Sequence, residues 1–258
     1  MAEAQGAPPA RLGRLALRTA PQTAALRGCV VLIATGSLEQ HGPHLPIGTD
    51  TLIAQAVTDS IADRLEGVFV AEPLPYGCSW HHTRFSGTAT LRASTFIAIL
   101  GDVCRSFSDL GFYPIVVNGH AGNRAPIDVA LIELAESERR AAAFTYFDLL
   151  EDVAGEAFEG AEDATGHACA LETSIAQFLW PQLVDAGALP SGDTPKTWPD
   201  PHMFAKKEVS VVRRFDEINP TGVIGKPAGA SAGAGRRLFE TAVQRGVELV
   251  DKIARELK

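Results

Sequence analysis

Apolar and polar positions along this chain alternate between two periods, which predicts strands and helices in turn. Short continuous apolar runs are typical of strands buried on both faces, and they occur at residues 30–34, 68–74, 114–117 and 144–146. Helical spacing of apolar residues predicts helices over residues 51–65, 94–110, 124–139, 171–179 and 236–257. This β-α-β-α order indicates an α/β fold with a mostly parallel sheet and helices on both of its faces.

Other parts of the chain lack such periodicity. Residues 151–165 are acidic and rich in small side chains, which favours a mobile loop, and the Pro-rich and Gly-rich residues 181–201 favour irregular structure. Residues 209–213 alternate like an edge strand, and the Gly/Ala-rich residues 225–235 lead into the last helix. We expect a partly disordered lead-in over residues 1–27 and a single domain over residues 28–258.

Composition narrows the classes of function. The net charge of −8 argues against a nucleic acid or an anionic membrane as partner, because either would need a basic face. No apolar stretch reaches the roughly 18 residues of a membrane span. The four cysteines, at positions 29, 78, 104 and 169, show no CxxC pairing, which predicts reduced thiols in a cytoplasmic protein.

Carboxylate and imidazole side chains are concentrated in residues 36–50, directly after the first predicted strand. This segment contains Glu39, His41, His44 and Asp50, and its Gly and Pro residues favour a kinked loop. Glu39 and His41 are two residues apart, so in an extended segment both side chains point to the same side. Because ligands bind at the carboxyl ends of strands in open α/β sheets, His120, which follows another strand, is expected to join them.

Each of these residues also has a simpler interpretation. An isolated acid is usually a solvated surface charge, Asp50 is positioned to be the N-cap of the following helix, and a lone histidine at a strand end is more often structural. His44 follows a proline and is expected to orient a neighbouring group. The joint placement of acids and imidazoles at two strand ends nevertheless indicates a metal site, since Zn²⁺, Mn²⁺ and Fe²⁺ all accept such ligands.

Several ordered motifs resemble one known family. The segment Gly36-Ser-Leu-Glu-Gln-His-Gly-Pro-His-Leu-Pro46 closely resembles the signature of the creatininase family of metal-dependent amidohydrolases. Further similarity lies in residues 76–88, 118–123, 166–174 and 220–225, so the resemblance spans roughly residues 30–255. It implies a three-layer αβα fold, commonly assembled as a homohexamer.

The resemblance also implies a metal centre, with two divalent ions of Zn, Mn or Fe per chain. Matched position by position, Glu39 and His120 would bind one ion, His41 the other, and Asp50 would bridge them. The remaining matches concern the reaction itself: His167 corresponds to a general acid/base histidine, and Glu172 to a ligand or proton acceptor beside the metals.

The same comparison implies a set of substrate-binding residues: Trp80, His81, His82, Phe147 and Asn123. The chain departs from the family pattern where a glutamate ligand of the second metal is expected, since that position is Gly122. It also lacks the two tryptophans that enclose creatinine: Phe147 occupies the place of the first, and the segment that leads into His167 contains no tryptophan. These departures argue against creatinine as the substrate.

The expected activity is therefore hydrolysis of a non-peptide or cyclic amide C–N bond, in which a metal-bound hydroxide attacks the carbonyl and His167 donates a proton to the leaving nitrogen. Two alternatives within the family are a mycofactocin-type precursor-peptide peptidase and a formamide deformylase. A fourth interpretation is a catalytically silent binding or assembly protein, supported only by Gly122. The expected partner is thus a small amide or a short peptide.

Overall fold

Four parallel strands form the central sheet of this protein. The computed structural model describes residues 13–158, 165–191, 196–206 and 208–257. The strands are β1 (Val30–Thr35), β2 (Val68–Val70), β3 (Tyr113–Asn118) and β4 (Ala142–Thr145). Their order is β2-β1-β3-β4, and every neighbouring pair is parallel. The parallel sheet predicted from the apolar runs is confirmed.

Helices connect the strands and cover the sheet. They are α1 (Ala20–Ala24), α2 (Thr49–Ala62), α3 (Ala93–Asp109), α4 (Arg124–Glu136), α5 (Glu151–Ala157), α6 (Ala170–Leu179), α7 (Phe215–Ile218) and α8 (Ala232–Leu257). No helix among the described residues has the length and apolar character that crossing a membrane requires.

The two faces of the sheet carry separate cores, because side chains alternate along a strand. Val30 and Leu32 of β1 point into a core built with α2, α6 and α8. Val31 and Ile33 point the other way, into a core built with α3 and α4. The expected three-layer αβα architecture is therefore confirmed, with all of β1 buried between the two helical layers.

The carboxyl ends of β1 and β3 lie side by side, since Thr35 and Asn118 are register partners. The loops that follow these two strands consequently meet at one edge of the sheet. Asn123 joins them: its side-chain amide donates to Gly36 O at 2.9 Å, and its side-chain oxygen accepts from Cys78 N at 2.9 Å. This edge carries the candidate site.

The loop predicted over residues 151–165 is wrong in its first half. Residues Glu151–Ala157 form α5, with Ala154 buried against the core, while residues 159–164 lie outside the described residues. Arg245 of α8 donates to both carboxylate oxygens of Asp152, at 2.5 and 2.8 Å. Two of the acidic residues that suggested a loop, Glu151 and Asp152, occupy the first turn of the helix, where negative charge is favourable.

The edge strand predicted over residues 209–213 is also wrong. These residues form no strand, and they are exposed. Apolar and polar residues alternate within this segment, but a stable strand also needs a neighbouring strand to pair with. No described strand pairs with these residues. They instead line a cavity beside the site. The strands predicted at residues 68–74 and 144–146 are present with different bounds, as β2 and β4.

Part of the predicted N-terminal lead-in contacts the folded domain. Residues 1–12 lie outside the described residues, but residues 13–27 pack onto the fold. Leu15 is buried in the core beneath α3 and α4, and Arg14 pairs with Asp59 of α2 at 2.9 Å. The folded body therefore includes part of the predicted lead-in.

A close contact between α8 and α6 gives a test of the packing. An added Cβ at Gly235 would lie 1.8 Å from Ser174 O, whereas at Gly233, two residues earlier, it would meet nothing within 4 Å. We expect Gly235→Ala to lower the free energy of unfolding by about 1–3 kcal/mol or more through overpacking. Gly233→Ala should leave stability unchanged or raise it by up to about 1 kcal/mol. Urea unfolding of both variants measures this, and equal effects would contradict the contact.

Candidate metal centre

The loop after β1 turns back on itself and leads into α2. Glu39 N donates to Ile47 O at 2.9 Å, and His41 pairs with Leu45 in an antiparallel bridge. The helix then begins at Thr49, so Asp50 lies inside its first turn and Gly48 occupies the cap position. The N-cap role considered for Asp50 is therefore wrong, and its carboxylate points into the loop instead.

Asp50 contacts two imidazoles with its two oxygens. Its Oδ1 lies 3.0 Å from His41 Nε2, and its Oδ2 lies 3.0 Å from His120 Nδ1. All three side chains are buried. The other ring nitrogen of His41 lies 3.1 Å from the Glu39 carbonyl oxygen, which fixes the orientation of that ring. The carboxylate is thus placed between two nitrogen donors, as a bridging ligand would be.

Glu39 is fully buried, and neither of its carboxylate oxygens has a hydrogen-bond partner among the described residues. Its Oε1 is surrounded by ring nitrogens: His120 Nδ1 at 3.3 Å, His82 Nε2 at 3.3 Å and His167 Nδ1 at 3.6 Å. A buried carboxylate without hydrogen bonds is costly unless a positive charge compensates it. A bound cation at this point would satisfy both oxygens.

The donor atoms fall into three overlapping groups among the described residues. In each group the candidate ligand atoms lie within 4.8 Å of one another. The groups are Glu39 with His81 and His120, Glu39 with His41 and His167, and His41 with Asp50 and Glu172. This mixed nitrogen and oxygen set is one that Zn²⁺, Mn²⁺ and Fe²⁺ accept, so the residues fit a divalent metal centre.

The charges of the cluster support the same conclusion. Burial by itself would lower the pKa of His41, but Asp50 overrides it and raises that pKa to about 10. The pKa of His120 is likewise raised well above its usual value, because Glu39 and Asp50 outweigh burial. In the metal-free protein these imidazolium groups balance the buried carboxylates, and a metal ion would displace their protons.

Glu172 lies in the first turn of α6 and faces both the cluster and a cavity. Its Oε2 accepts from Cys169 N at 3.3 Å, and its Oε1 is 4.0 Å from His41 Nε2. Burial raises the pKa of this carboxyl to about 7. Glu172 can therefore exchange a proton near neutral pH.

His167 is held in one orientation by the backbone. Its Nε2 donates to Gln40 O at 2.8 Å, which leaves Nδ1 facing Glu39 without a proton. Burial and the nearby His41 lower the pKa of His167 to about 3. In the metal-free protein the ring is therefore a neutral imidazole with an acceptor nitrogen toward the cluster, and the proton-donor role expected for it from the sequence stays a prediction.

A cavity of about 750 Å³ opens beside the cluster. Asp50, His81 and Glu172 line it on the cluster side, and Trp80 and Phe147 line it elsewhere. Three of the five predicted substrate-binding residues thus border this space. Trp80 is 55% exposed, so its ring has room to contact a bound molecule.

The other two predicted substrate-binding residues do not line the cavity. Asn123 is fully buried and hydrogen-bonds to backbone groups of two loops, so its placement supports an architectural role. His82 is also fully buried: its Nδ1 contacts the Gln40 side chain at 2.9 Å, and Phe215 packs on its ring. His82 therefore belongs to the surroundings of Glu39.

His44, expected to orient a neighbour, contacts Thr173 Oγ1 with Nε2 at 2.9 Å. Burial, followed by the nearby His41, lowers the pKa of His44 to about 4. The contact fastens the metal-site loop to α6 one residue from Glu172. Its placement is consistent with the orienting role predicted from the sequence.

Two residues of the site escaped sequence analysis. Gln40 links the loop to Gly222 O at 3.1 Å and, through its own carbonyl, holds His167. Phe215 packs against the rings of His81, His82 and His167, with centroids 4.2–5.2 Å apart. Gln40 stood inside the recognised motif, but nothing in the irregular surroundings of Phe215 indicated that it returns to the centre.

The chain is similar to known proteins in sequence and in fold. A family model described as creatininase, creatinine amidohydrolase, matches residues 16–250. The chain is 32% identical over 234 residues to a mycofactocin precursor peptide peptidase of Mycobacterium ulcerans, covering 87% of this chain and 84% of that protein. It is 31% identical over 193 residues to a creatinine amidohydrolase of Pseudomonas putida, covering 67% of this chain and 73% of that protein. A solved structure titled creatininase Mn has a TM-score of 0.78 at 24% identity, covering 93% of this chain and 98% of that one.

Proposed function

This chain belongs to the creatininase family of hydrolases, and from that premise we propose that it cleaves an amide C–N bond at a centre of two divalent metal ions. The observation that carries the proposal is the position of Asp50, whose two oxygens contact imidazoles from separate parts of the chain. A ligand that bridges two ions needs this arrangement. The unbonded carboxylate of Glu39 provides further support.

The residues divide into two ligand sets that share Asp50. Glu39 and His120 would hold one ion with it, and His41 and Glu172 would hold the other. Two such ions lower the pKa of a bound water to about 7 and polarise a substrate carbonyl. The protein supplies the fixed positions of these ligands, because hydrogen bonds to the backbone hold the rings of His41 and His120.

Proton transfer would fall to residues whose acceptor atoms face the cavity or the cluster. Glu172 faces the cavity, which places its carboxylate to accept a proton from the attacking water and to pass it on to the leaving nitrogen. His167 presents its unprotonated Nδ1 to the cluster and would assist from behind Glu39. We therefore propose Glu172 as the main proton-transfer residue and His167 as a secondary one.

Metal removal tests the proposal. The purified protein is assayed with cyclic amides, formamides and short peptides before and after a chelator, and again after Zn²⁺ or Mn²⁺ is restored. We expect hydrolysis of at least one of these classes, lost with the metal and recovered with it. Turnover that survives complete metal removal would contradict the proposal. If the metal-loaded protein hydrolyses none of these amides, the result would instead favour the interpretation as a catalytically silent binding protein.

The cavity favours a peptide as the second, more specific candidate substrate. Its volume of about 750 Å³ lies in the range of pockets for drug-sized ligands, well beyond the needs of a small ring. Arg92 and Arg213 line it, and neither forms an ion pair with any described residue. Two unpaired guanidinium groups at one cavity suit a substrate that carries a carboxylate, such as a peptide C-terminus.

The same substrate panel tests this second candidate. Peptides with a free C-terminal carboxylate are expected to have a lower KM than their amidated counterparts, and replacing both Arg92 and Arg213 with glutamine should remove the difference. A preference for cyclic amides or formamides, with no effect of these two replacements, would exclude the peptide and leave the general proposal standing.

A further inference from the structure

One imidazole beside the centre has no assigned partner. His81 lines the cavity, and its candidate ligand atom lies within 4.8 Å of those of Glu39 and His120. Its ring stacks on that of His120, with centroids 5.6 Å apart and an interplanar angle of 5°. A nitrogen donor thus stands next to two residues expected to hold the first ion.

His81 differs from the other histidines of the centre in its hydrogen bonds. His41, His82, His120 and His167 each have a ring nitrogen in contact with a backbone or side-chain group of the protein. Neither ring nitrogen of His81 hydrogen-bonds to a described residue, and the ring is held by contacts with His82 and Phe215. Its nitrogens are therefore available to a ligand.

Position 122, which also borders the cavity, has no room for a ligand side chain. A Cβ on Gly122 would lie 2.4 Å from His120 Nε2 and 2.5 Å from Cys78 O, so no side chain fits there while His120 keeps its present orientation. A backbone carbonyl cannot move aside as a flexible side chain can. Position 122 therefore supplies no ligand, and His81 is the residue of the same cavity whose donor atom lies beside those of Glu39 and His120.

We propose that His81 is a metal ligand of this chain, completing the set formed by Glu39, Asp50 and His120. This assignment rests on the proposed metal centre and replaces the substrate-contact role expected for His81 from the sequence. It makes the first ion a site of two carboxylates and two imidazoles, a donor set common for Zn²⁺ and Mn²⁺.

Titration of the metal-free protein with Co²⁺ tests the assignment without relying on activity. His81→Phe keeps a ring against Phe215 and His120 but removes the donor nitrogens. We expect one of two Co²⁺ ions to bind at least about tenfold more weakly, since even residues that merely orient ligands cost 10–100-fold. The visible absorption of the first ion should also change, because it reports the ligands.

Three further variants make the comparison specific to the donor nitrogens of His81. His81→Glu restores a donor and should recover most of the affinity, whereas His81→Gln should recover less; this pair carries the test if His81→Phe fails to fold. His202→Phe is the matched control, since His202 lines the same cavity but pairs with Asp200 at 2.7 Å, and its Co²⁺ binding should equal that of the wild type.

The outcomes separate the inference from the proposed function. Unchanged Co²⁺ affinity and spectrum in His81→Phe would overturn the inference, and a raised KM in that variant would return His81 to substrate contact. Wild-type protein that binds no Co²⁺ would overturn the metal centre itself, and with it the role of His81.

Discussion

Asp50→Ala is expected to remove metal and activity together. The side chain contacts His41 with one oxygen and His120 with the other, both at 3.0 Å, so its loss takes a ligand from each ion at once. We expect metal affinity to fall at least about a hundredfold. The hydrolysis rate should fall at least about a thousandfold, because the metals supply several kcal/mol of transition-state stabilisation. Metal per chain and kcat/KM measure the two effects.

A control on the same helix separates loss of metal from loss of fold. Asp59→Ala removes a carboxylate that is also buried in α2 but pairs with Arg14, away from the centre. It should keep its metal and its rate, even if its midpoint of unfolding falls. Hydrolysis at the wild-type rate by metal-free Asp50→Ala protein would refute the role assigned to Asp50.

Glu172→Gln is expected to separate chemistry from binding. Glutamine has nearly the same shape, and its side-chain oxygen can still accept from Cys169 N, but it cannot take up a proton. We expect kcat to fall about 10²–10⁴-fold, the usual contribution of a general acid or base. KM should change little, and the ion held by Glu39 and His120 should remain. Steady-state kinetics with metal analysis tests this.

Cys169→Ala is the matched control for Glu172→Gln. The Cys169 thiol lies 3.6 Å from Glu172 Oε2, so a potential nucleophile stands beside that carboxylate. Burial, followed by the charge of Glu172, raises the pKa of this thiol, which keeps it protonated and unsuited to nucleophilic attack. The variant should retain a rate close to that of the wild type. A larger loss here than in Glu172→Gln would point to thiol chemistry.

Local pattern was sufficient for the sheet and the helices that cover it. Burial on both faces makes β1 and β3 continuous apolar runs, and each helix that packs on the sheet presents an apolar stripe, so these signals lie within single segments. The same is true of the loop with Glu39, His41 and Asp50, because its dense ligands follow a recognisable strand. For this reason the order of elements could be predicted, and so could the acids and imidazoles of this loop that the structure brings together with His120.

Features that depend on contacts between distant segments could be seen only in the structure. Residues 209–213 alternate like a strand but have no partner, and α5 forms where Ala154 reaches the core and Asp152 reaches Arg245. Asn123, expected at the substrate, is held inward by two loops.

The residues of the candidate metal centre likewise show which features follow from the sequence and which from folding. From the sequence alone, Asp50 was open to a capping role, and the adjacent His81 and His82 were both expected to contact the substrate. Folding turned Asp50 between His41 and His120, buried His82 against Glu39 and left His81 facing the cavity. Sequence determined which ligand types lie at the strand ends, because hydrophobic pattern and motif are local properties. Which atom faces which partner was decided only by the tertiary structure, because it depends on how separate segments pack together.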